Sequence, residues 1–159
     1  MSTPTVGDVA PDVALPDETG TIRRLADERG RWVVLYFYPK ADTPGCTIEA
    51  CTFRDANADL AAEGAVVWGV SPDAAKAILG FHAKFDLTFP LLSDVDHAVA
   101  DEYGTWVEKT RYGRTYMGMA RVTFLIGPDG RVARVWPAVK PEGHAEEVLA
   151  AVREGRGSA

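Results

Sequence analysis

The clearest apolar pattern in the first half of the chain is Val33-Val34-Leu35-Tyr36-Phe37-Tyr38, closed by Pro39. A short β-branched and aromatic run ending at a proline predicts a buried strand. Ala65 to Ser71 is apolar enough to predict a second buried strand, parallel to the first. Between them, the segment that opens at Thr43 and Pro44 predicts a helix to about Ala62, with Gly64 as its stop. Upstream, Asp12 to Leu15 and Thr21 to Arg24 flank the turn Pro16-Asp17-Glu18-Thr19-Gly20 and predict a hairpin. Leu25 to Arg29 predicts a short helical turn closed by Gly30.

Downstream, Ser71-Pro72-Asp73 opens another helix, on which Ile78, His82 and Phe85 share a face. Pro90 to Ser93 predicts a short strand, and His97 to Tyr103 a short helix. Residues 104–118 are polar, aromatic and weakly patterned, and predict a loop with some strand. Met119 to Ile126 predicts one strand, and Gly127-Pro128-Asp129-Gly130 a turn. Arg131 to Trp136 then returns as its antiparallel partner. Glu142 to Arg153 predicts a terminal helix with Val148, Leu149 and Val152 inward, and residues 155–159 a frayed tail. A hairpin, then β-α-β-α, a strand pair and a helix predict an α/β fold. Its mixed central sheet is flanked by helices on both faces, within a single domain over residues 1–159.

Composition leaves this class unchanged, since 47% apolar and 25% charged residues are ordinary for a globular chain. Charge narrows the partners. A net charge of −6 without a basic block argues against a nucleic-acid binder. No apolar run approaches the length of a membrane span, and Met1 to Asp8 lacks the basic and apolar regions of a signal peptide. Two cysteines in 159 residues do not make a disulfide-stapled scaffold. The expectation is a cytoplasmic protein whose cysteine pair is catalytic or redox-sensing.

The cysteines bring in the chemistry. Thr43 is a good N-cap residue, and Pro44 suits the first helical position because its missing N–H is not needed there. Cys46 then falls in the first helical turn, where free backbone N–H groups and the positive end of the helix dipole favour thiolate over thiol. The Thr43 hydroxyl is within reach of the N–H of residue 46 or of an oxygen bound above it. Cys51 follows five residues later. Positions so spaced on one helix lie about 8.7 Å apart between Cα atoms and about 140° apart around the axis. A disulfide needs Cα atoms within about 7 Å. On an intact helix the two cannot bond, so either they never do or the first turns unwind.

Pro39-x-x-x-Thr43-Pro44-Gly45-Cys46 resembles the active-site signature of the peroxiredoxins, thiol peroxidases on a thioredoxin-like fold. Cys51 resembles the resolving cysteine of the bacterioferritin comigratory protein, or peroxiredoxin Q, subgroup. The likeness covers nearly the whole chain. It includes Gly7-Asp8-Val9-Ala10-Pro11, Leu91-Leu92-Ser93-Asp94, Glu108-Lys109, Tyr112-Gly113-Arg114-Thr115-Tyr116 and Arg121-Val122-Thr123-Phe124-Leu125-Ile126. The resemblance implies that Cys46 is the peroxidatic nucleophile and that Cys51 resolves its sulfenic acid as an intramolecular disulfide, after local unwinding of the helix. It implies that Thr43 orients the peroxide, that Pro39 shields the pocket, and that Arg121, on a strand against the Cys46 helix, supplies a permanent positive charge. Pro44 and Gly45 occupy supporting places in the same signature, and Glu49 stands in support where the family commonly has a glutamate. The implied substrates are hydrogen peroxide and organic hydroperoxides, and the implied reductant is thioredoxin. No metal or other cofactor is implied, and an internal disulfide needs no second copy, so a monomer is expected.

Competing readings stand beside this one. Cys51 is also readable as inert packing, and Arg121 as a plain surface ion-pair partner. His82, His97 and His144 read as incidental surface or core-edge residues. Tyr36, Phe37, Trp68 and Phe124 read as core, and Trp106, Tyr112 and Tyr116 as candidates for the pocket rim. A Cys-x-x-Cys exchanger, a Cys-x5-Arg phosphatase loop, a zinc site and a phosphate-cradling glycine loop are all missing their residues. The alternative function is a redox-controlled binding module that uses the same cysteine pair as a switch.

Overall fold

The computed structural model describes residues 3–157. In chain order the strands are β1 (Ala14–Pro16), β2 (Ile22–Arg24), β3 (Trp32–Phe37), β4 (Ala65–Ser71), β5 (Leu91–Ser93), β6 (Trp106–Arg111), β7 (Arg114–Met119), β8 (Val122–Ile126) and β9 (Val132–Trp136). The helices are α1 (Pro44–Ala62), α2 (Ala75–Lys84), α3 (Ala98–Tyr103) and α4 (His144–Gly157), with a 3-10 turn over Leu25–Glu28. The central sheet has the order β5-β4-β3-β8-β9. β3 pairs parallel with β4, β4 pairs parallel with β5, and β3 pairs antiparallel with β8.

β3 is apolar at every position because both of its faces are covered. Val34, Tyr36 and Tyr38 pack with Cys46, Ala50, Phe53 and Leu60 of α1, with α2, and with Val148 and Val152 of α4. Val33, Leu35 and Phe37 pack on the other side with α3 and the N-terminal segment around Val13 and Leu15. This is the mixed sheet with helices on both faces that the pattern predicts, and it is thioredoxin-like. Among the described residues no helix is long and apolar enough to cross a membrane.

Close packing within the sheet gives one stability prediction. Tyr36 is paired with Gly69, and a Cβ at Gly69 would stand 2.8 Å from the Tyr36 ring and 3.0 Å from Leu91 Cδ2. All three residues are buried. Gly69→Ala therefore overpacks a core that cannot give way freely, and it is expected to cost about 1–3 kcal/mol. A lower urea midpoint at unchanged slope checks this, and an unchanged midpoint contradicts it.

Four expectations are corrected. Residues 104–118 are not mostly loop, because β6 and β7 form a regular antiparallel hairpin closed by Tyr112 and Gly113 at φ 52° and 72°. Met119 to Ile126 is not one strand. β7 ends at Met119 on β6, β8 begins at Val122 opposite Phe37 on β3, and Ala120-Arg121 carries the chain between the two sheets. The terminal helix does not fray at Gly155, since α4 continues to Gly157. Gly155 leaves no room for a Cβ against the Trp32 ring, so its bareness serves packing there. Residues 158–159 of the expected tail lie outside the described residues. Finally, His144 is not at the surface. It is fully buried at the start of α4, with Nε2 2.8 Å from Thr123 Oγ1, and burial lowers its basicity against the pull of Glu147.

Candidate active site

The parallel pairing of β3 and β4 brings the loops that follow them out at the same end of the sheet. Tyr38 N–H still donates to Val70 O at 2.9 Å, and then Pro39 ends the pairing. The chain turns through Asp42, which takes a left-handed φ of 58°. Thr43 is extended, as an N-cap residue should be, and Thr47 N–H donates to its carbonyl at 2.8 Å to open α1. Its side chain departs from expectation. It makes no capping bond, and the hydroxyl donates instead to Lys40 O at 2.8 Å. With its hydrogen so committed, the Thr43 oxygen can only accept, which suits it to a peroxide O–H.

Cys46 is the third residue of α1 and is 1% exposed. Glu49, three residues on, shares its helix face and is fully buried. One guanidinium reaches both. Arg121 Nη2 donates to Cys46 Sγ at 3.5 Å, and Nη1 donates to Glu49 Oε1 at 2.9 Å. Arg121 comes from the connection between β7 and β8 rather than from within a strand, which corrects the expectation. Gly45 makes room for it, since a Cβ there would stand 2.9 Å from Arg121 Nη2. Burial opposes the arginine's charge, but Cys46 and Glu49 more than offset it, so the guanidinium is held firmly protonated. Burial pushes the Glu49 carboxyl up to about 7, against the pull of Arg121. Its Oε2 is buried without a hydrogen-bond partner, consistent with a carboxyl that takes up a proton near neutrality.

Cys51 is half-buried on the same unbroken helix, and both thiols are free. The spacing argument therefore applies to this state: the sulfurs cannot join until the start of α1 unwinds. Pro39 is half-buried where the loop leaves the sheet, and Pro44 occupies the first helical position. The structure thus brings together Cys46, Glu49, Gly45 and Arg121, with Thr43 and Pro39 in the loop leading to them. Among the described residues the aromatic rim candidates make no hydrogen bond or ring contact with these side chains, and Tyr116 pairs across the hairpin with Lys109. Trp106 stacks on His97 with ring centroids 4.2 Å apart, Tyr112 is 90% exposed at the hairpin tip, and Tyr116 is exposed on β7.

One residue was given no role from sequence. Lys109 donates to Met119 O at 2.5 Å, pinning the end of β7 just before Arg121. Burial and Arg121 both lower its basicity, while Cys46 opposes them, so it stands within the electrostatic reach of the thiol. Its signal was the Glu108-Lys109 pair in the resemblance, which names no function for it.

Residues 6–135 match the AhpC/TSA family. The chain is 49% identical over 144 residues to the bcp peroxiredoxin assigned in Coxiella burnetii, covering 91% of this chain and 95% of that one. It is 43% identical over 148 residues to peroxiredoxin Bcp of Escherichia coli, covering 93% and 95%. Among solved structures, a Xanthomonas campestris bacterioferritin comigratory protein superposes with a TM-score of 0.88 at 37% identity, covering 98% of this chain and 99% of that one. That structure comes from work on the alkyl peroxide reduction activity of the Xanthomonas protein.

Proposed function

The chain belongs to the AhpC/TSA family as a peroxiredoxin of the Bcp, or peroxiredoxin Q, kind, a thiol-dependent peroxidase, and from that premise we propose which residues carry the reaction. Cys46 thiolate attacks one oxygen of the peroxide in line with the O–O bond. The bond breaks and the second oxygen leaves, becoming water or an alcohol once protonated. The sulfur, oxidised by two electrons, is left as a sulfenic acid. Arg121 holds the thiolate and stabilises the charge that develops on the peroxide oxygens. Thr43 Oγ1 accepts a hydrogen bond from the peroxide O–H and fixes its direction. Pro39 covers the sulfur from water, Pro44 and Gly45 shape the first turn, and Glu49 holds the guanidinium in place.

The start of α1 then unwinds, and the Cys51 thiol condenses with the Cys46 sulfenic acid. A disulfide forms and water leaves. Thioredoxin, as a dithiol, restores both thiols by exchange and becomes oxidised itself. Hydrogen peroxide and organic hydroperoxides are the substrates. The unit that does this is one domain, acts as a monomer, its internal disulfide requiring no second copy, and works in the cytoplasm. The observation that carries the reading is the single guanidinium donating to Cys46 Sγ and to buried Glu49.

A thioredoxin-coupled peroxide assay, with intact mass recorded after one equivalent of peroxide, tests it. Many turnovers and a loss of two hydrogens per chain are expected. The same mass change without turnover favours a redox switch instead, and no mass change overturns the role of Cys46. Cys51→Ser separates the two halves of the cycle. Its first oxidation is expected to proceed normally. Thioredoxin-supported turnover is expected to fall on the order of 10²-fold or more, because an intramolecular attack on the sulfenic acid becomes a bimolecular one. Unchanged turnover removes Cys51 from the mechanism.

A further inference from the structure

We propose that Asp73 is a positioning residue which, with Lys84, latches the loop before Cys46, and that this latch sets how a Cys46 sulfenic acid divides between the Cys51 disulfide and further oxidation. The inference rests on the roles given to Cys46 and Cys51 above. Its evidence is a tie between two loops. Ala41 N–H, in the β3–α1 loop, donates to Asp73 Oδ2 at 2.7 Å, across to the loop that follows β4. The same oxygen accepts from Ser71 Oγ at 2.9 Å, and Ser71 is fully buried. Asp73 N–H returns to Ser71 Oγ at 3.3 Å, and Asp73 O accepts from Ser93 Oγ at 2.6 Å. Asp73 is therefore fixed by the ends of both β4 and β5.

A second tie lies one residue further along. Asp42 is held at its left-handed φ, and both of its carboxylate oxygens accept from Lys84 Nζ, at 3.1 and 3.0 Å. Residues 41 and 42 are thus both fastened to the β4–α2 unit immediately before Thr43 and Cys46. The Asp73 tie, a charge-assisted bond to a half-buried carboxylate, is the stronger. The Asp42–Lys84 pair is solvent-exposed and weaker.

The two outcomes for the sulfenic acid need opposite states of the first turn of α1, into which this loop leads. With α1 intact, Cys46 is placed for peroxide and is out of reach of Cys51. A second peroxide then adds its oxygen to give a sulfinic acid, releases water or an alcohol, and takes two more electrons from sulfur. With the first turn unwound, Cys51 condenses and water leaves. Ties that hold residues 41 and 42 where they deliver Thr43 and Cys46 to the helix start bias the balance toward the intact turn. A latch therefore speeds the first peroxide reaction and raises the sulfinic fraction per turnover.

Reduced protein is mixed with hydrogen peroxide for the first rate, and intact mass after thioredoxin-supported cycling gives the sulfinic fraction. In Asp73→Ala, the sulfinic fraction is expected to fall about 10-fold, within what one charge-assisted hydrogen bond allows, and the first rate to fall by less, because the folded state stays the larger population. Lys84→Ala should lower the sulfinic fraction by about 2-fold, as an exposed pair permits, with a smaller change in the first rate. Asp73→Asn, which keeps an acceptor for Ala41, should recover part of both effects. Val132→Ala, in the opposite core, controls for general destabilisation. An unchanged sulfinic fraction in Asp73→Ala, or the same changes in Val132→Ala at equal loss of melting temperature, overturns the latch. If Asp73→Ala does not fold, Asp73→Asn and Lys84→Ala carry the same two readouts. A wild-type chain that forms no internal disulfide defeats the reading of Cys46 and Cys51, whereas a normally cycling wild type with an unmoved partition defeats only the latch.

Discussion

Cys46→Ser is expected to bring peroxide turnover down to the uncatalysed level, a fall on the order of 10⁶-fold, the scale that follows removal of a covalent nucleophile. The substitution changes one atom at a buried position, so the surrounding geometry is kept. Arg121 still reaches the side chain, the helix N-terminus still points at it, and Thr43 still offers its oxygen. What is lost is the ionised sulfur. A serine hydroxyl is far too weak an acid for one guanidinium and one helix end to ionise, and its oxygen cannot be taken to a sulfenic acid and back. Circular dichroism should match wild type while coupled turnover disappears. Turnover within about 10-fold of wild type would place the nucleophile elsewhere, since no positioning role for Cys46 accounts for so small a loss.

The difference between what was and was not legible in the sequence follows the range of the interactions. β3 was legible because both of its faces are buried, leaving an unbroken apolar run. The β6–β7 hairpin was not, because Glu108, Arg111, Arg114, Tyr116 and Met117 are largely in solvent and show no alternation. Its local signal was the Tyr112-Gly113 turn, with both residues at positive φ, in a less familiar form than Asn-Gly. The break at Ala120-Arg121 was hidden because apolar residues stand on either side and no glycine or proline marks the change of sheet. In the site, Thr43, Cys46 and Cys51 were legible together because their relation is fixed by helix geometry. Arg121 lies 75 residues from Cys46 and entered only through the family resemblance. His144 and Asp73 were misplaced or passed over for the same reason: each is defined by a partner on another element, Thr123 for one and Ala41 for the other.

Arg121→Ala is expected to slow the reaction of reduced protein with peroxide by about 10²–10³-fold, the loss typical of removing a preorganised donor from a developing charge. The effect should fall on chemistry more than on folding, for a reason that Glu49 makes explicit. Its carboxyl is already pushed up to about 7 by burial, with Arg121 pulling against that shift. Without the guanidinium the carboxyl rises further and stays neutral in its buried place. The stability consequence has a definite sign. A raised folded-state value favours folding below the unfolded value of 4.5 and gives up that contribution as pH rises through the folded value. In the wild type this loss tails off above about 7, and in Arg121→Ala it continues to higher pH. The variant should therefore melt close to wild type at about pH 5 and distinctly lower at about pH 8, while its peroxide rate is depressed at both. Adding Glu49→Gln to Arg121→Ala should abolish the extra pH dependence and restore no activity, separating the carboxyl's effect on stability from the arginine's effect on rate. Arg121→Lys should fall between, because one ammonium cannot donate to sulfur and carboxylate along the two directions a guanidinium offers. Stopped-flow rates and thermal melts at the two pH values check all three variants, and an Arg121→Ala rate within about 3-fold of wild type would remove Arg121 from the transition state.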